Sequence, residues 1–298
     1  MKLARAMVLL GIAGQLYFCN GGESNATALV KSGSSVTNRL EAHIAKLKTT
    51  VPEGFTIVSE PPFVVLGDEA PEVVETRAVK TVKWAVDKLK LEYFARDPVE
   101  VIDVWLFKDD VSYRKHAKLL FGDEPTTPFG YYSAEHHALV MNISTGGGTL
   151  VHELVHPFMR ANFPACPAWF NEGLASLYEQ SREKDGRIVG LINWRYTGLE
   201  KAIKEKKLIP FKQLMSLTED EFYGGEGNPG YDQHYGQSRY LCYYLQEKGL
   251  LRKFYRNFVA NAKADPTGYA TLQRVLGEED MDAFQKHWEK FILGLRHE

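Results

Sequence analysis

The sequence has few cysteines, little net charge and no long apolar run. Three cysteines among 298 residues exclude a small disulfide-stabilised domain and a four-cysteine zinc ribbon. With 36 basic and 38 acidic residues, the chain lacks the positive excess that a nucleic-acid backbone or an anionic membrane attracts. Its apolar runs are too short for a retained transmembrane helix. We therefore expect no nucleic-acid partner and no transmembrane helix in the mature protein.

The N-terminus has the organisation of an export signal. Lys2 and Arg5 precede the short apolar run Ala6–Phe18, and Ala26-Thr27-Ala28 is a small-x-small cleavage site, so residues 1–28 are predicted to be a signal peptide. The mature protein is then secreted or periplasmic. The alternative, a lipid anchor on Cys19, is disfavoured by the bulky Phe18 before it.

Hydrophobic periodicity predicts an α+β fold. A polar linker is expected over residues 20–38, followed by alternating helices and strands up to about residue 145 and by mostly helical patterns beyond it. We thus expect an α+β subdomain at 29–145 and a helical subdomain at 146–298. The predicted elements are helices at 39–47, 71–93, 111–120 and 281–295, strands at 63–66 and 101–107, a hairpin of 130–133 with 138–143, and a small hairpin near 187–192.

The segment His152-Glu153-Leu154-Val155-His156 carries an H-E-x-x-H motif. Residues four apart share one face of a helix, so His152 and His156 can present two imidazoles to one metal ion. Glu153 can then direct its carboxylate toward a water bound to that metal. The apolar flanks predict a buried helix, in which these polar groups are costly unless a ligand satisfies them. The rival interpretation is a pair of hydrogen-bonded core histidines.

Two histidines alone hold a zinc ion too weakly, and a glutamate lies 16 positions after His156 in another helical pattern. Glu172 lies in Trp169-Phe170-Asn171-Glu172-Gly173-Leu174-Ala175, and here the sequence resembles the gluzincin zinc metallopeptidases, closest to their aminopeptidase-like branch and to secreted bacterial peptidase-like proteins. The resemblance implies a zincin-like fold, with a mixed sheet and an active-site helix before a mostly helical C-terminal half. It also implies that Glu172 completes a His₂Glu site for Zn²⁺, with Glu179 as the substitute.

A second segment, residues 234–245, is similar to the family region that contains a catalytic tyrosine. Tyr235 matches that tyrosine in chain order and approximate spacing after Glu172, and the resemblance implies that its hydroxyl stabilises the oxyanion of the tetrahedral intermediate. His234 and Tyr231 are the alternatives for this role.

Two features depart from the family pattern. The G-x-M-E-N element that binds a free amino terminus is missing upstream of His152, which argues against a simple aminopeptidase and leaves endopeptidase action open. Pro157 removes one helical hydrogen bond directly after His156 and is expected to kink the helix. The resemblance further implies that an extended peptide adds to the strand Ala138–Ile143 as the sheet edge.

The expected function is an exported zinc-dependent peptidase in which Glu153 is the general base. Two alternatives stay open: a catalytically inactive zincin-like binding module, and a zinc hydrolase that acts on a non-peptide amide. After removal of the signal, Cys166 and Cys242 remain. They either form a disulfide in an oxidising compartment or stay separate buried thiols.

Overall fold

The computed structural model of the chain describes residues 25–133, 135–224 and 231–296. Backbone contacts divide the chain after His43 into two units, and the second unit contains both β-sheets. Residues 1–24 of the predicted signal peptide lie outside the described residues. Within these ranges, every helix is too short or too polar to span a bilayer.

The first described element is the helix α1, Asn25–Thr50. The prediction of an irregular linker up to residue 38 is therefore wrong for its helical part. The segment at 39–47 was expected to be helical on its own. The helix extends from it toward the N-terminus because each added residue gains a hydrogen bond, although serine and glycine are poor helix formers.

A mixed five-stranded sheet forms the centre of the second unit, in the order β1-β2-β3-β5-β4. The β2–β3 and β3–β5 pairs are parallel, whereas β1 and β4 pair antiparallel with β2 and β5. All residues of β2, β3 and β5 are buried, as expected for strands covered on both faces. The strands are β1 Thr56–Glu60, β2 Phe63–Gly67, β3 Ile102–Phe107, β4 Gly130–Ser133 and β5 Ala138–Asn142.

The predictions of the hairpin and of the edge strand have different outcomes. The hairpin of 130–133 with 138–143 is confirmed, and its arms are β4 and β5. The expectation that Ala138–Ile143 forms the sheet edge is wrong, because β4 pairs on the outer side of β5 and is itself the edge strand. Which arm of a hairpin joins the rest of the sheet is decided by pairing with a distant strand, here β3.

The helices that precede the site cover the sheet. The predicted helix at 71–93 is confirmed as a continuous run with a π-helical centre, and the helix at 111–120 is confirmed with an Asp109 N-cap. Their bounds are α2 Pro71–Arg77, a π-helix Ala78–Lys83, α3 Trp84–Glu92 and α4 Asp110–Phe121.

Among the described residues after β5, the regular structure is helical apart from one small hairpin, which confirms the predicted one near residue 187. The fold is therefore α+β, as expected. The C-terminal helix also places Phe284 and Trp288 in the core, as its spacing predicts. The elements are α5 Gly147–Asn162, α6 Ala168–Leu177, β6 Ser181–Lys184, β7 Arg187–Gly190, α7 Arg195–Lys204, α8 Phe211–Ser216, α9 Glu219–Tyr223, α10 Tyr231–Glu247, α11 Leu251–Asn261, α12 Tyr269–Leu276 and α13 Met281–Leu293.

Helix α6 packs between α5 and α10. Its approach to α10 depends on Gly173, because a Cβ atom there would lie 2.9 Å from the Ser238 carbonyl oxygen and 3.1 Å from Cys242 Sγ. At the C-terminal end of α6, the buried Arg239 donates hydrogen bonds to the carbonyl oxygens of Ser176 (2.9 Å) and Leu177 (3.4 Å). These contacts fix α6 within the core, and α6 carries Glu172.

We predict that Gly173→Ala destabilises the protein by about 1–3 kcal/mol, because the added methyl group must push α6 away from α10. The matched control is Gly198→Ala in α7, where the new Cβ meets nothing within 4 Å. That control should be neutral or slightly stabilising, since alanine favours a helix by about 1 kcal/mol over glycine. Thermal unfolding measures both. Equal melting temperatures for the two variants would contradict the packing argument.

Candidate metal centre

Helix α5 brings the H-E-x-x-H residues together. The rings of His152 and His156 lie 5.0 Å apart between centroids, as expected for residues one turn apart. One ligand atom from each of His152, Glu153 and His156 can be chosen so that all lie within 4.8 Å of one another. The helix continues through Pro157 to Asn162, so both histidines share one face on the N-terminal side of the proline.

Glu172 on α6 faces both imidazoles. Its Oε2 atom lies 3.1 Å from His152 Nε2, and its Oε1 atom lies 3.9 Å from His156 Nε2. A tetrahedral zinc ion with bonds of about 2.0–2.2 Å needs ligand atoms about 3.4 Å apart. The two separations bracket that distance, so the spacing of Glu172 from each imidazole is compatible with a zinc ion.

An unsatisfied buried atom supports the same fit. The Oε2 atom of Glu172 is buried and makes no well-aligned hydrogen bond in the described part of the chain, although His152 Nε2 lies 3.1 Å from it. A buried carboxylate oxygen without an aligned donor is costly, and a cation removes that cost. Two imidazole nitrogens and one carboxylate are also the donors that zinc prefers at sites with a free coordination position.

The electrostatics of the cluster favour a positive charge between the carboxylates. Burial lowers the pKa of His152, but hydrogen bonding and attraction to Glu172 and Glu179 outweigh it and raise that pKa to about 10. Burial raises the pKa of Glu172, but His156, His152 and Tyr223 outweigh it and lower that pKa to about 2. In the absence of a metal, a proton on His152 supplies the positive charge that a divalent cation would supply.

Neighbouring polar groups orient these three side chains. His156 Nδ1 lies 3.0 Å from Asn171 Oδ1, which directs Nε2 toward Glu172. The Tyr223 hydroxyl donates a hydrogen bond of 2.7 Å to Glu172 Oε1. Such partners of metal ligands fix the ring and carboxylate orientations that coordination needs. Tyr223 lies 51 positions from Glu172, so no local sequence pattern connects the two residues.

Glu179 lies on the opposite side of His152 from Glu172. Its Oε1 atom is 3.2 Å from His152 Nδ1, so it faces the ring nitrogen that Glu172 does not. Arg195 holds this carboxylate with two hydrogen bonds of 2.9 and 2.7 Å, and Asn193 donates a third of 2.9 Å. Glu179 is thus placed to orient His152, and not to replace Glu172.

Glu153 and Tyr235 line one cavity of about 610 Å³ together with His152. The Tyr235 ring packs against Phe222 at 5.4 Å, and the Arg195 guanidinium lies 4.9 Å above it. Arg195 therefore connects the carboxylate behind His152 to the predicted oxyanion donor. His234 Nδ1 lies 3.2 Å from the Phe222 carbonyl oxygen, and the side chain of Tyr231 lies outside the described residues.

Cys166 and Cys242 are free thiols, so the disulfide alternative is not formed. Cys242 is fully buried, and burial raises the pKa of its thiol. A thiol that stays protonated is a poor nucleophile and a poor metal ligand. Burial raises the pKa of the Cys166 thiol as well, so neither cysteine competes with the His₂Glu set.

No protein-family profile matches the chain, and no curated protein is significantly similar to it in sequence.

We predict that His152→Ala, His156→Ala and Glu172→Ala each abolish stoichiometric zinc binding, because two ligands hold the ion too weakly. The matched control is His287→Ala, which removes an exposed histidine of α13. Metal content after dialysis measures the outcome, with far-ultraviolet circular dichroism to verify folding. Full zinc retention in Glu172→Ala would exclude Glu172 as the third ligand.

Proposed function

We propose that the chain is an exported zinc-dependent peptidase of the gluzincin type. The observation that carries the proposal is the convergence of Glu172 with His152 and His156, at 3.1 and 3.9 Å, beside a cavity lined by Glu153 and Tyr235. The mixed sheet ahead of the metal-site helix and the helices behind it are consistent with a zincin-like fold. Export rests on the signal-like residues 1–28.

His152, His156 and Glu172 would hold the zinc ion. When bound, zinc lowers the pKa of a coordinated water toward neutrality and polarises the scissile carbonyl group. Glu153 accepts the proton of the attacking water, whose oxygen forms a bond to the carbonyl carbon. Tyr235 donates a hydrogen bond to the developing oxyanion. The C–N bond then breaks, and Glu153 transfers the proton to the departing amine.

The edge strand β4 supports a peptide substrate. It lies beside α5 in the fold, and an edge strand offers unpaired backbone groups to which an extended peptide can add. A non-peptide amide would not need these groups. A binding module without catalysis would need neither Glu153 nor Tyr235, although both lie in the same cavity.

We predict that Glu153→Gln abolishes hydrolysis of a peptide library and retains stoichiometric zinc, because the amide cannot accept the proton of the water. Mass spectrometry of the digests and metal content are the two measurements. Wild-type activity in this variant would disprove the mechanism. Zinc-loaded wild-type protein that binds peptides without cleaving them would favour the binding module.

Substitutions of the two tyrosines of the site are predicted to affect different properties. Tyr235→Phe should lower kcat by about 10²–10³ with zinc affinity unchanged, because it removes a donor to the oxyanion. Tyr223→Phe should weaken zinc binding by about 10–100-fold, because it removes the hydrogen bond that orients Glu172. Steady-state kinetics and a chelator competition distinguish them. Loss of zinc affinity in Tyr235→Phe instead would assign it an orienting role.

A further inference from the structure

Two exposed aromatic residues border the cavity that contains Glu153. Trp194 is 60% exposed and Phe129 is 51% exposed, and both line the 610 Å³ cavity. Large aromatic side chains are usually buried, and those left exposed around a cavity are typical of ligand contacts. Glycine and threonine residues form much of the remaining wall, which leaves space for a large guest.

Buried asparagines fix the backbone at both aromatic residues. Asn193, 1% exposed, donates from its side chain to Glu179 and accepts from the Arg195 backbone N–H at 3.2 Å. Trp194 lies between these two anchored residues. Asn142, 3% exposed, donates 2.9 Å hydrogen bonds from its backbone to Phe129 and from its side chain to Pro128. These hydrogen bonds therefore hold the backbone in place at both exposed aromatic residues.

A second cavity also borders the candidate ligands. It measures about 330 Å³ and is lined by His156 and Glu172, whereas the larger cavity is lined by His152 and Glu153. The edge strand β4 borders both, through Gly130 in the larger cavity and Tyr132 in the smaller. Residues two apart in a strand share a face, so β4 forms a common wall that passes the metal centre.

We propose that the two cavities bordered by β4 together bind the interior of an extended peptide. Phe129 and Trp194 then select a bulky apolar side chain next to the scissile bond. The inference rests on the proposed function and adds a substrate class to it. A peptide that occupies both cavities continues in both directions from the reacting groups, which a terminal exopeptidase site does not need. When an apolar side chain of the peptide binds there, its surface and that of the two aromatic rings are removed from water, which favours binding.

The test uses zinc-loaded full chain and peptides blocked at both ends by acetyl and amide groups. We expect cleavage of internal bonds, with Phe, Leu or Met preferred over Asp or Gly at one position flanking the cut. Trp194→Ala and Phe129→Ala should each lower kcat/KM for the preferred peptide by about 10–100-fold. For a peptide with Gly at that flanking position, neither variant should change kcat/KM by more than about threefold. The matched control Leu119→Ala removes an exposed apolar side chain of α4 and should behave like wild type.

Three outcomes overturn the proposal: cleavage only of peptides with a free terminus, no apolar preference in the wild type, or equal losses for apolar and glycine peptides in the aromatic variants.

A binding measurement distinguishes failure of this substrate preference from failure of the proposed peptidase function. Zinc-loaded Glu153→Gln should bind the blocked Phe peptide at least about tenfold more tightly than its Asp counterpart, and Trp194→Ala in that background should remove the difference. Selective binding without cleavage by the wild type would refute the peptidase and retain the aromatic site.

Discussion

The approach of α6 to α5 and α10 decides whether Glu172 reaches the two imidazoles. It depends on the absence of a side chain at Gly173, where any larger residue meets the backbone of α10. The buried Arg239 then fixes the end of the helix through its carbonyl groups. The position of one carboxylate therefore follows from helix packing, because Glu172 itself has no freedom to relocate once α6 is docked.

Around that carboxylate, the polar groups form a connected set. Asn171 and Tyr223 orient the side chains that face the candidate metal, and Glu179 does so from behind His152. Arg195 extends the set to Tyr235, where its guanidinium lies over the aromatic ring. Such a buried network is favourable only if every member is satisfied. A cation at its centre would interact with Glu172 Oε2, which makes no well-aligned hydrogen bond in the described part of the chain.

Local periodicity was enough to locate the histidine face of α5, the helix that carries Glu172 and the β4–β5 hairpin. It could not decide that β4 is the edge strand, because that depends on the pairing of β5 with the distant β3. Strand β1 escaped prediction for a related reason, since it is a half-buried strand that pairs only with β2. Tyr223, Asn193 and Arg195 were missed because contacts across 14–51 residues leave no periodic signal.

One carboxylate, that of Glu179, both anchors the backbone around Trp194 and orients His152. Asn193 and Arg195, on either side of the tryptophan, both donate hydrogen bonds to it. The indole itself takes no part in those bonds. Its ring centroid lies 5.9 Å from the Arg195 guanidinium, so a change of side chain at position 194 removes that contact and leaves the hydrogen bonds to Glu179 in place. The same holds for position 129, whose attachment to Asn142 uses only backbone atoms of the loop. In the proposed peptidase, substrate preference is therefore free to diverge among descendants that keep the same candidate metal centre.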